Sequence, residues 1–270
     1  MTRFAVSNIA LSPYDHVDEL ARLPELGLEG LEVAPSRVWR DTWKGLAAVE
    51  VEAYRKKVES AGLCVIGLHS LFFNQPELGL FKGPEVRAET LDFLVHLSGL
   101  CRDLGGGTMI YGGGRKRGEL PFKDAFAETV GFCGEFCRRI EGHGTVLCFE
   151  PLGPADSDFI NNVADALSVV VAVDHPALAM QLDAKALVDN GEAEYAPFDA
   201  AKRYLVHFHA NEPGLTVLGS SGRVDHAAFG GYLKKIGYQG FVSIEQCMLN
   251  ESDPLADVAT SARVLEECYA

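Results

Sequence analysis

No apolar run in the sequence approaches the ~20 residues that a helix needs to cross a bilayer, so a helical membrane protein is excluded. The first residues, Met1-Thr2-Arg3-Phe4-Ala5-Val6-Ser7, lack the charged-then-apolar order of a secretory signal and read as the start of a strand. There is no Pro/Ser-rich linker, no low-complexity tract and no shift in composition, which leaves one domain over 1–270 as the economical reading. Seven cysteines are present (Cys64, Cys101, Cys133, Cys137, Cys148, Cys247 and Cys268), but none forms a CxxC pair. The odd count and wide scatter read as free thiols in a reducing, cytoplasmic setting. Basic charge is scarce: 24 Lys and Arg against 38 Asp and Glu give a net charge of -14. Such a surface repels phosphates, so neither nucleic acid nor an anionic membrane is an expected partner. The one short basic cluster, Arg115-Lys116-Arg117, sits in a glycine-rich turn and reads as a solvated loop. The alternative for it is a contact to an anionic substrate or a partner.

What is there is a repeating alternation. Short β-rich apolar runs at 4–9, 30–34, 64–69, 108–111, 146–150, 180–183, 204–209 and 241–245 are separated by segments of helical period. The helical segments are 15–26, 49–61, 85–104, 122–140, 163–173, 225–236 and 254–269, with short pieces at 184–188 and 196–203. Eight strands alternating with helices predict a parallel sheet, and 270 residues is the usual length of one (β/α)8 TIM barrel. A nucleotide-binding doubly wound sheet would carry glycines in its first strand–helix turn. That turn is Leu11-Ser12-Pro13-Tyr14-Asp15. The triplets Gly105-Gly106-Gly107 and Gly112-Gly113-Gly114 flank the fourth strand instead, as tight turns.

Four of the runs end in a residue able to bind a metal: Glu150, Asp183, His209 and Glu245, at intervals of 33, 26 and 36 residues. One strand–helix unit of an eight-fold barrel this long averages about 34 residues, so the four recur about once per unit, each at the C-terminal end of its strand. Three carboxylates converging on one apolar mouth would repel one another unless a cation joined them. Three oxygen ligands with one imidazole suit one divalent ion, Mn2+ first, with Mg2+, Co2+ or Zn2+ as alternatives. Strand alternation puts Cys148, Gln181, His207 and Ser243 on the same face as these ligands. His207 reads either as a satisfied core histidine or as a group that contacts substrate or orients a ligand. Glu32 ends the second strand and His69 the third, so both are candidates to face the mouth. The loop 70–81 is apolar, with Leu71, Phe72, Phe73, Leu78, Leu80 and Phe81. It is expected to cap the site, pack on a neighbouring subunit or fold back on the barrel.

At these residues the sequence resembles the xylose isomerase-like TIM barrels, in particular the sugar phosphate isomerase/epimerase group of ketose 3-epimerases, hydroxypyruvate isomerases and inosose-processing enzymes. The resemblance rests on Cys148-Phe149-Glu150-Pro151, Gln181-Leu182-Asp183, His207-Phe208-His209-Ala210-Asn211-Glu212, Gly222-Arg223-Val224-Asp225 and Gly240-Phe241-Val242-Ser243-Ile244-Glu245. It implies that Glu150, Asp183, His209 and Glu245 bind the metal and that Glu150 and Glu245 form the acid/base pair. It implies an isomerase or epimerase working on a small sugar or keto-sugar through an enediolate, with a homodimer or homotetramer as the assembly. A lyase or dehydratase acting on an inosose or keto-glycoside would use the same first step and is the alternative. An abasic-site nuclease, which would need a three-zinc cluster, and a non-catalytic binding module are the remaining classes. Candidate substrate contacts are Glu32, His69, Gln181, Lys185, His207, Glu212 and Arg223. The sequence departs from the ketose epimerases at Ala186 and Leu215, where those enzymes carry a histidine and an arginine that grip substrate oxygens. Lys185 or Arg223 is then a candidate to supply the missing charge.

Overall fold

The computed structural model describes residues 2–270. Eight parallel strands close into a barrel in sequence order: β1 (Arg3–Ser7), β2 (Gly30–Val33), β3 (Cys64–Leu68), β4 (Thr108–Tyr111), β5 (Val146–Phe149), β6 (Leu178–Asp183), β7 (Leu205–Ala210) and β8 (Phe241–Ile244). β8 returns to β1 through the register Phe4↔Val242 and Val6↔Ile244, so the sheet has no free edge. Around it run α1 (Val17–Leu20), α2 (Ala48–Ser60), α3 (Pro84–Leu104), α4 (Phe122–Arg139), α5 (Val163–Val173), α6 (Ala184–Asp189), α7 (Tyr195–Ala201), α8 (His226–Ile236) and α9 (Pro254–Tyr269). The expected TIM barrel is therefore the fold. Among the described residues no helix is long and apolar enough to cross a membrane.

The apolar stripes of the helices pack on the outward faces of the strands. Phe93, Leu94, Leu97 and Leu104 of α3 and Phe132 and Phe136 of α4 are fully or almost fully buried there. The inward face is more polar than a stability-only barrel needs: Glu32, Gln181, His207, His209 and Ser243 are all buried on it. That inner layer is the first structural sign of a site, because buried polar groups cost free energy unless they are paired.

Two expected elements differ. The segment 15–26 is not one helix: α1 ends at Leu20, and a 3-10 turn covers Leu23–Leu26. Pro24 at its start has no N–H to continue a helix and clashes with the preceding turn. β1 stops at Ser7 and not at Ile9, because the Ser7 hydroxyl accepts the Ile9 N–H and caps a 3-10 turn over Asn8–Ala10. The four other strands read as one residue longer lose only their final residue; three of those residues stay tied to the sheet, and Ala34 N–H donates to the Asn8 side chain. Glu150 N–H donates to Tyr111 O at 3.2 Å, Glu245 N–H to Ala210 O at 3.0 Å and His69 N–H to Val33 O at 3.1 Å.

The glycines on either side of β4 do turn the chain; Gly105 and Gly114 have φ +88° and +76°. Gly67 in β3 has a different reason. A Cβ there would lie 2.1 Å from Thr108 Oγ1 and 2.3 Å from Thr108 O, so β3 and β4 can approach only without a side chain. Gly67→Ala is expected to destabilise the fold by about 1–3 kcal/mol through overpacking, read as a lower urea midpoint at unchanged slope. An unchanged midpoint would show that the strands can move apart freely.

Candidate metal centre and active site

The C-terminal ends of β5 to β8 carry Glu150, Asp183, His209 and Glu245 to one place. His209 is the hub. Its Nδ1 lies 3.4 Å from Glu245 Oε2, 3.7 Å from Asp183 Oδ2 and 3.8 Å from Glu150 Oε1. Its other nitrogen, Nε2, is 2.9 Å from Glu32 Oε2 and donates to it. Glu32 is fully buried beneath the ring, and Ser243 Oγ–H also donates to Oε2 at 2.8 Å. Its second oxygen, Oε1, has His207 Nε2 at 3.1 Å but no well-directed hydrogen bond. Burial alone would raise the Glu32 carboxyl; the facing His209, His207 and His69 rings hold it well below the usual range. Glu32 is thus a permanent carboxylate that fixes the tautomer of His209 and leaves Nδ1 for the three carboxylates above.

Those carboxylates are strained electrostatically. Burial, the Asp183 charge and the Glu245 charge push Glu150 up to about 8. Glu245 goes the other way. Burial opposes its charge, but His209 and then His69 hold it at about 2. His209 is pulled well above its ordinary value despite burial, first by Glu32 and then by Glu245. In the metal-free protein a shared proton thus does part of what a cation would do. Oxygens of Glu150 and Asp183 and a nitrogen of His209 lie mutually within 4.8 Å, as do donor atoms of His69, His209 and Glu245. The donor set and its spacing fit a divalent ion bound by Glu150, Asp183, His209 and Glu245, with Nδ1 giving up its proton to bind it.

The other expected site residues divide into those at the mouth and those behind it. His69 is at the mouth: Nδ1 faces Glu245 Oε1 at 3.3 Å, and Nε2 is hydrogen-bonded to the Ser7 hydroxyl. Gln181 Nε2 donates to Glu150 Oε1 at 2.8 Å and lies 2.6 Å from His209 Nδ1. Glu32 and His207 are not at the mouth but one layer below it. Glu212 is fully buried, away from the cluster, and holds the loop before α8 through Gly219 N–H, the Ser221 hydroxyl and His226 Nε2. Lys185 lies at the rim with its ammonium between Asp156 (2.6 Å) and Asp189 (3.0 Å). Arg223 is exposed and pairs with Asp189 at 2.9 Å. Neither cation reaches the carboxylate cluster, so neither stands in for the groups absent at Ala186 and Leu215.

The basic cluster needs correcting. Arg115 is not solvated: it is 1% exposed and lies 4.9 Å over the Phe149 ring. Its guanidinium donates to the main-chain oxygens of Glu150, Phe159 and Ile160, the last at 3.4 Å. Burial lowers it to about 10 even with Tyr111 and Glu150 nearby. Arg115 therefore clamps the end of β5, and with it the backbone that presents Glu150. Lys116 alone of the trio fits the expectation of a solvated cation; Arg117 is tied to Asp158 and Leu120 through its backbone and guanidinium.

Asn211 was not among the candidate contacts, although it lies inside the motif that ends β7. Its Nδ2 donates to Asp183 Oδ2 at 2.6 Å and to Glu245 Oε2 at 2.8 Å, and its Oδ1 accepts the Lys185 N–H. Its place two residues after His209, on the same face, was the available signal.

A cavity of about 280 Å³ opens over the cluster, lined by Glu150, His209, Glu245, His69, Ile110 and Phe72 among others. The apolar loop folds back on the barrel. Leu71, Leu78 and Leu80 are buried, and Leu80 N–H bonds to Gly114 O at 2.8 Å. Phe72 and Phe73 reach the cavity wall, and Phe73 remains 76% exposed.

A closed parallel barrel with a carboxylate–imidazole cluster at the C-terminal ends of its strands defines a (β/α)8 protein built around a candidate metal centre. The family follows: residues 20–268 match the model of the xylose isomerase-like TIM barrels, and the chain belongs to that family. Comparison with curated proteins returned no match. Among solved structures, the chain is similar to D-psicose 3-epimerase from Clostridium cellulolyticum H10, at 18% identity and a TM-score of 0.82 over 99% of this chain and 98% of that one. It is similar to 3-keto-D-glucoside 4-epimerase from E. coli, at 18% identity and a TM-score of 0.83 over 99% and 100%. It is also similar to an L-ribulose 3-epimerase, at 19% identity and a TM-score of 0.81 over 100% and 95%.

Arg115→Met should lower stability by about 1–3 kcal/mol for each main-chain oxygen left without a donor. Equilibrium urea unfolding measures this, and a change under 0.5 kcal/mol, the ordinary spread for surface sites, would show that water replaces the guanidinium.

Proposed function

We propose that this chain is a divalent-metal-dependent epimerase or isomerase of a small sugar or keto-sugar, working by proton abstraction next to a carbonyl. The observation that carries the reading is the placing of Glu150 and Glu245 on one cavity, beside the same His209 nitrogen. Two carboxylates flanking one cavity can take a proton from a bound molecule and return one to it. The structural likeness to sugar epimerases points the same way.

In this reading Glu150, Asp183, His209 and Glu245 hold the ion, with Mn2+ the first candidate and Mg2+, Co2+ or Zn2+ the alternatives. The ion supplies a Lewis acid that lowers the cost of enediolate charge. The chain's own residues supply the rest. One glutamate takes the proton from the carbon beside the carbonyl, and the other, on the opposite side, returns one. Return to the same carbon from the other face is epimerisation; return to its neighbour is isomerisation. His69, braced by Ser7, keeps Glu245 oriented, and Gln181 does the same for Glu150. Phe72 and Leu71 form an apolar wall that keeps water from the reacting carbons.

Three outcomes test this. With Mn2+ and a panel of keto-sugars in D2O, proton NMR should show solvent deuterium entering beside the carbonyl together with a changed stereocentre or a shifted carbonyl. Glu150→Gln and Glu245→Gln should each slow that exchange by about 10²–10⁴-fold. Exchange that persists in both variants would remove the two glutamates from the mechanism, and release of water or an alcohol would make the enzyme a lyase.

Metal binding should release protons at pH 7, because Glu150 then carries a proton up to about 8 and His209 holds one above its ordinary range. Apparent Mn2+ affinity should therefore rise from pH 6 through about 8 as Glu150 ionises, and keep rising until His209 has also lost its proton. Calorimetry in two buffers of different ionisation heat counts the protons, and a count of zero would be incompatible with this cluster as the binding site.

Glu32→Gln removes the carboxylate that fixes His209 and should weaken Mn2+ binding by about 10–100-fold. Electron paramagnetic resonance of free Mn2+ reads the change, and equal affinity in the variant would reduce Glu32 to a packing residue.

A further inference from the structure

Asn211 is the first residue after β7 and is 1% exposed. Its side-chain amide is fully used. Nδ2 carries two hydrogens and has two acceptors, Asp183 Oδ2 at 2.6 Å and Glu245 Oε2 at 2.8 Å. Oδ1 accepts the Lys185 N–H at 2.8 Å. That third bond decides which way round the amide sits. Turned over, it would set its oxygen against two carboxylates and its NH2 against an N–H, and all three bonds would be lost.

The two oxygens that it holds are the same two that come nearest to His209 Nδ1, at 3.4 Å for Glu245 and 3.7 Å for Asp183. The second oxygen of each carboxylate has a partner of its own. Asp183 Oδ1 accepts the Ala186 N–H at 2.7 Å, and Glu245 Oε1 faces His69 Nδ1 at 3.3 Å. Each carboxylate thus presents one oxygen to the ring nitrogen and has the other engaged elsewhere. Among the described residues no other side chain hydrogen-bonds to two of the cluster carboxylates; Gln181, the other amide, reaches Glu150 alone of the three.

The bridge also extends into the scaffold. α6 begins directly after Asp183, and the N–H groups of its first turn have no partner within the helix. Asn211 Oδ1 takes that of Lys185, and Asp183 Oδ1 takes that of Ala186. The start of α6, the Asn211 amide and the two carboxylates therefore form one hydrogen-bonded unit. Beside it lies a cavity of about 430 Å³, lined by Glu150, Glu245, Asn211, Ala186 and Leu215 among others.

We infer that Asn211 is the positioning residue of the metal centre: it draws Asp183 Oδ2 and Glu245 Oε2 together beside His209 Nδ1 before an ion arrives, so that the ion meets ligands already in place. This rests on the reading of the cluster as a metal centre and adds what assembles it. Two buried like charges would otherwise turn apart, and an ion would have to gather them first. With the amide between them, that repulsion is overcome on folding and not on binding. Ligands fixed by neighbouring hydrogen bonds bind more tightly than ligands that must be ordered by the ion itself.

Two variants of the full chain with opposite expectations test this. The readouts are electron paramagnetic resonance of free Mn2+ and the thermal midpoint with and without Mn2+. Asn211→Ala removes the bridge and should weaken Mn2+ binding by about 10–100-fold, which shrinks the rise in midpoint that Mn2+ produces. Asn211→Asp keeps the shape and the acceptor for the Lys185 N–H but sets a third charge against the other two. The ion-free protein should then lose stability, and Mn2+ should raise its midpoint by more than in the wild type. A residue that only fills space would lower the midpoint without changing that rise in either variant. Unchanged Mn2+ affinity in Asn211→Ala overturns the inference. So does an Asn211→Asp protein that Mn2+ stabilises no more than the wild type, or that stays unfolded with Mn2+ present; this comparison decides alone if Asn211→Ala does not fold. Wild-type protein that binds no Mn2+ fails the metal-centre reading instead, and the inference with it.

Discussion

One imidazole faces four carboxylates. His209 has Glu32 at 2.9 Å on one nitrogen, and Glu245, Asp183 and Glu150 at 3.4, 3.7 and 3.8 Å on the other. Most of the inner barrel can be read as a consequence. Four buried negative charges around one ring cannot persist without compensation, since each would have to be taken out of water with no counter-charge. The protein compensates in two layers. Below, Glu32 is paired with the His209 ring and accepts from the Ser243 hydroxyl, with His207 3.1 Å from its other oxygen. Above, the surplus is met by a proton on Glu150, the Asn211 amide and the Gln181 amide, a set that a divalent ion would replace.

The same constraint accounts for features remote from the chemistry. Glu150 sits at a strand end whose carbonyl is held by a buried arginine, so that its side chain has little freedom to swing away from Asp183. Gly112 is a glycine because Glu150 Oε2 occupies the space of its side chain. His69 reaches Glu245 because Ser7, at the end of β1, holds its far nitrogen. Repulsion would otherwise be relieved by side chains turning outward, and the surrounding hydrogen bonds remove that route. A preorganised cluster of this kind stores electrostatic strain where catalysis can use it.

The four cluster residues were legible in the sequence because the barrel repeats. A polar residue closing an apolar run, once per strand–helix unit, is a one-dimensional signal of a shared rim. Alternation added the layer of Gln181, His207 and Ser243 for the same reason. Glu32 lies inside its run, with Val33 and Ala34 after it, and so sits below the rim. The strands tilt by about 36° to the barrel axis, so residues matched along the hydrogen-bond ladder do not share a height. Ser7 pairs with Glu32, and its neighbour Val6 with Ile244 just before Glu245, yet Glu32 meets Ser243 and His207. A residue's height in the barrel follows only once the tilt is known, and no single segment contains that. Arg115 was illegible for a different reason. Its partners are main-chain oxygens at Glu150, Phe159 and Ile160, which every residue possesses, so no pattern of side chains announces them. What distinguishes it from Lys116 is three-dimensional: the Phe149 ring beneath it and a closed loop around it.

The departures at Ala186 and Leu215 gain meaning from where the structure puts them. Both line the cavity beside Asn211, and Leu215 is held at φ +51°, a conformation that disfavours a side chain. Its carbonyl accepts the Cys247 N–H just after Glu245, and its N–H bonds to Glu212 O, so the strained residue ties the β7 loop to the end of β8. Backbone strain persists only where surrounding bonds over-determine it. Position 215 thus serves the placing of Glu245 through its backbone, whatever its side chain. The side chain is apolar, and the cation lining the same cavity, Lys185, is locked between two aspartates. In this wall Lys185 and Asn211 are both already paired.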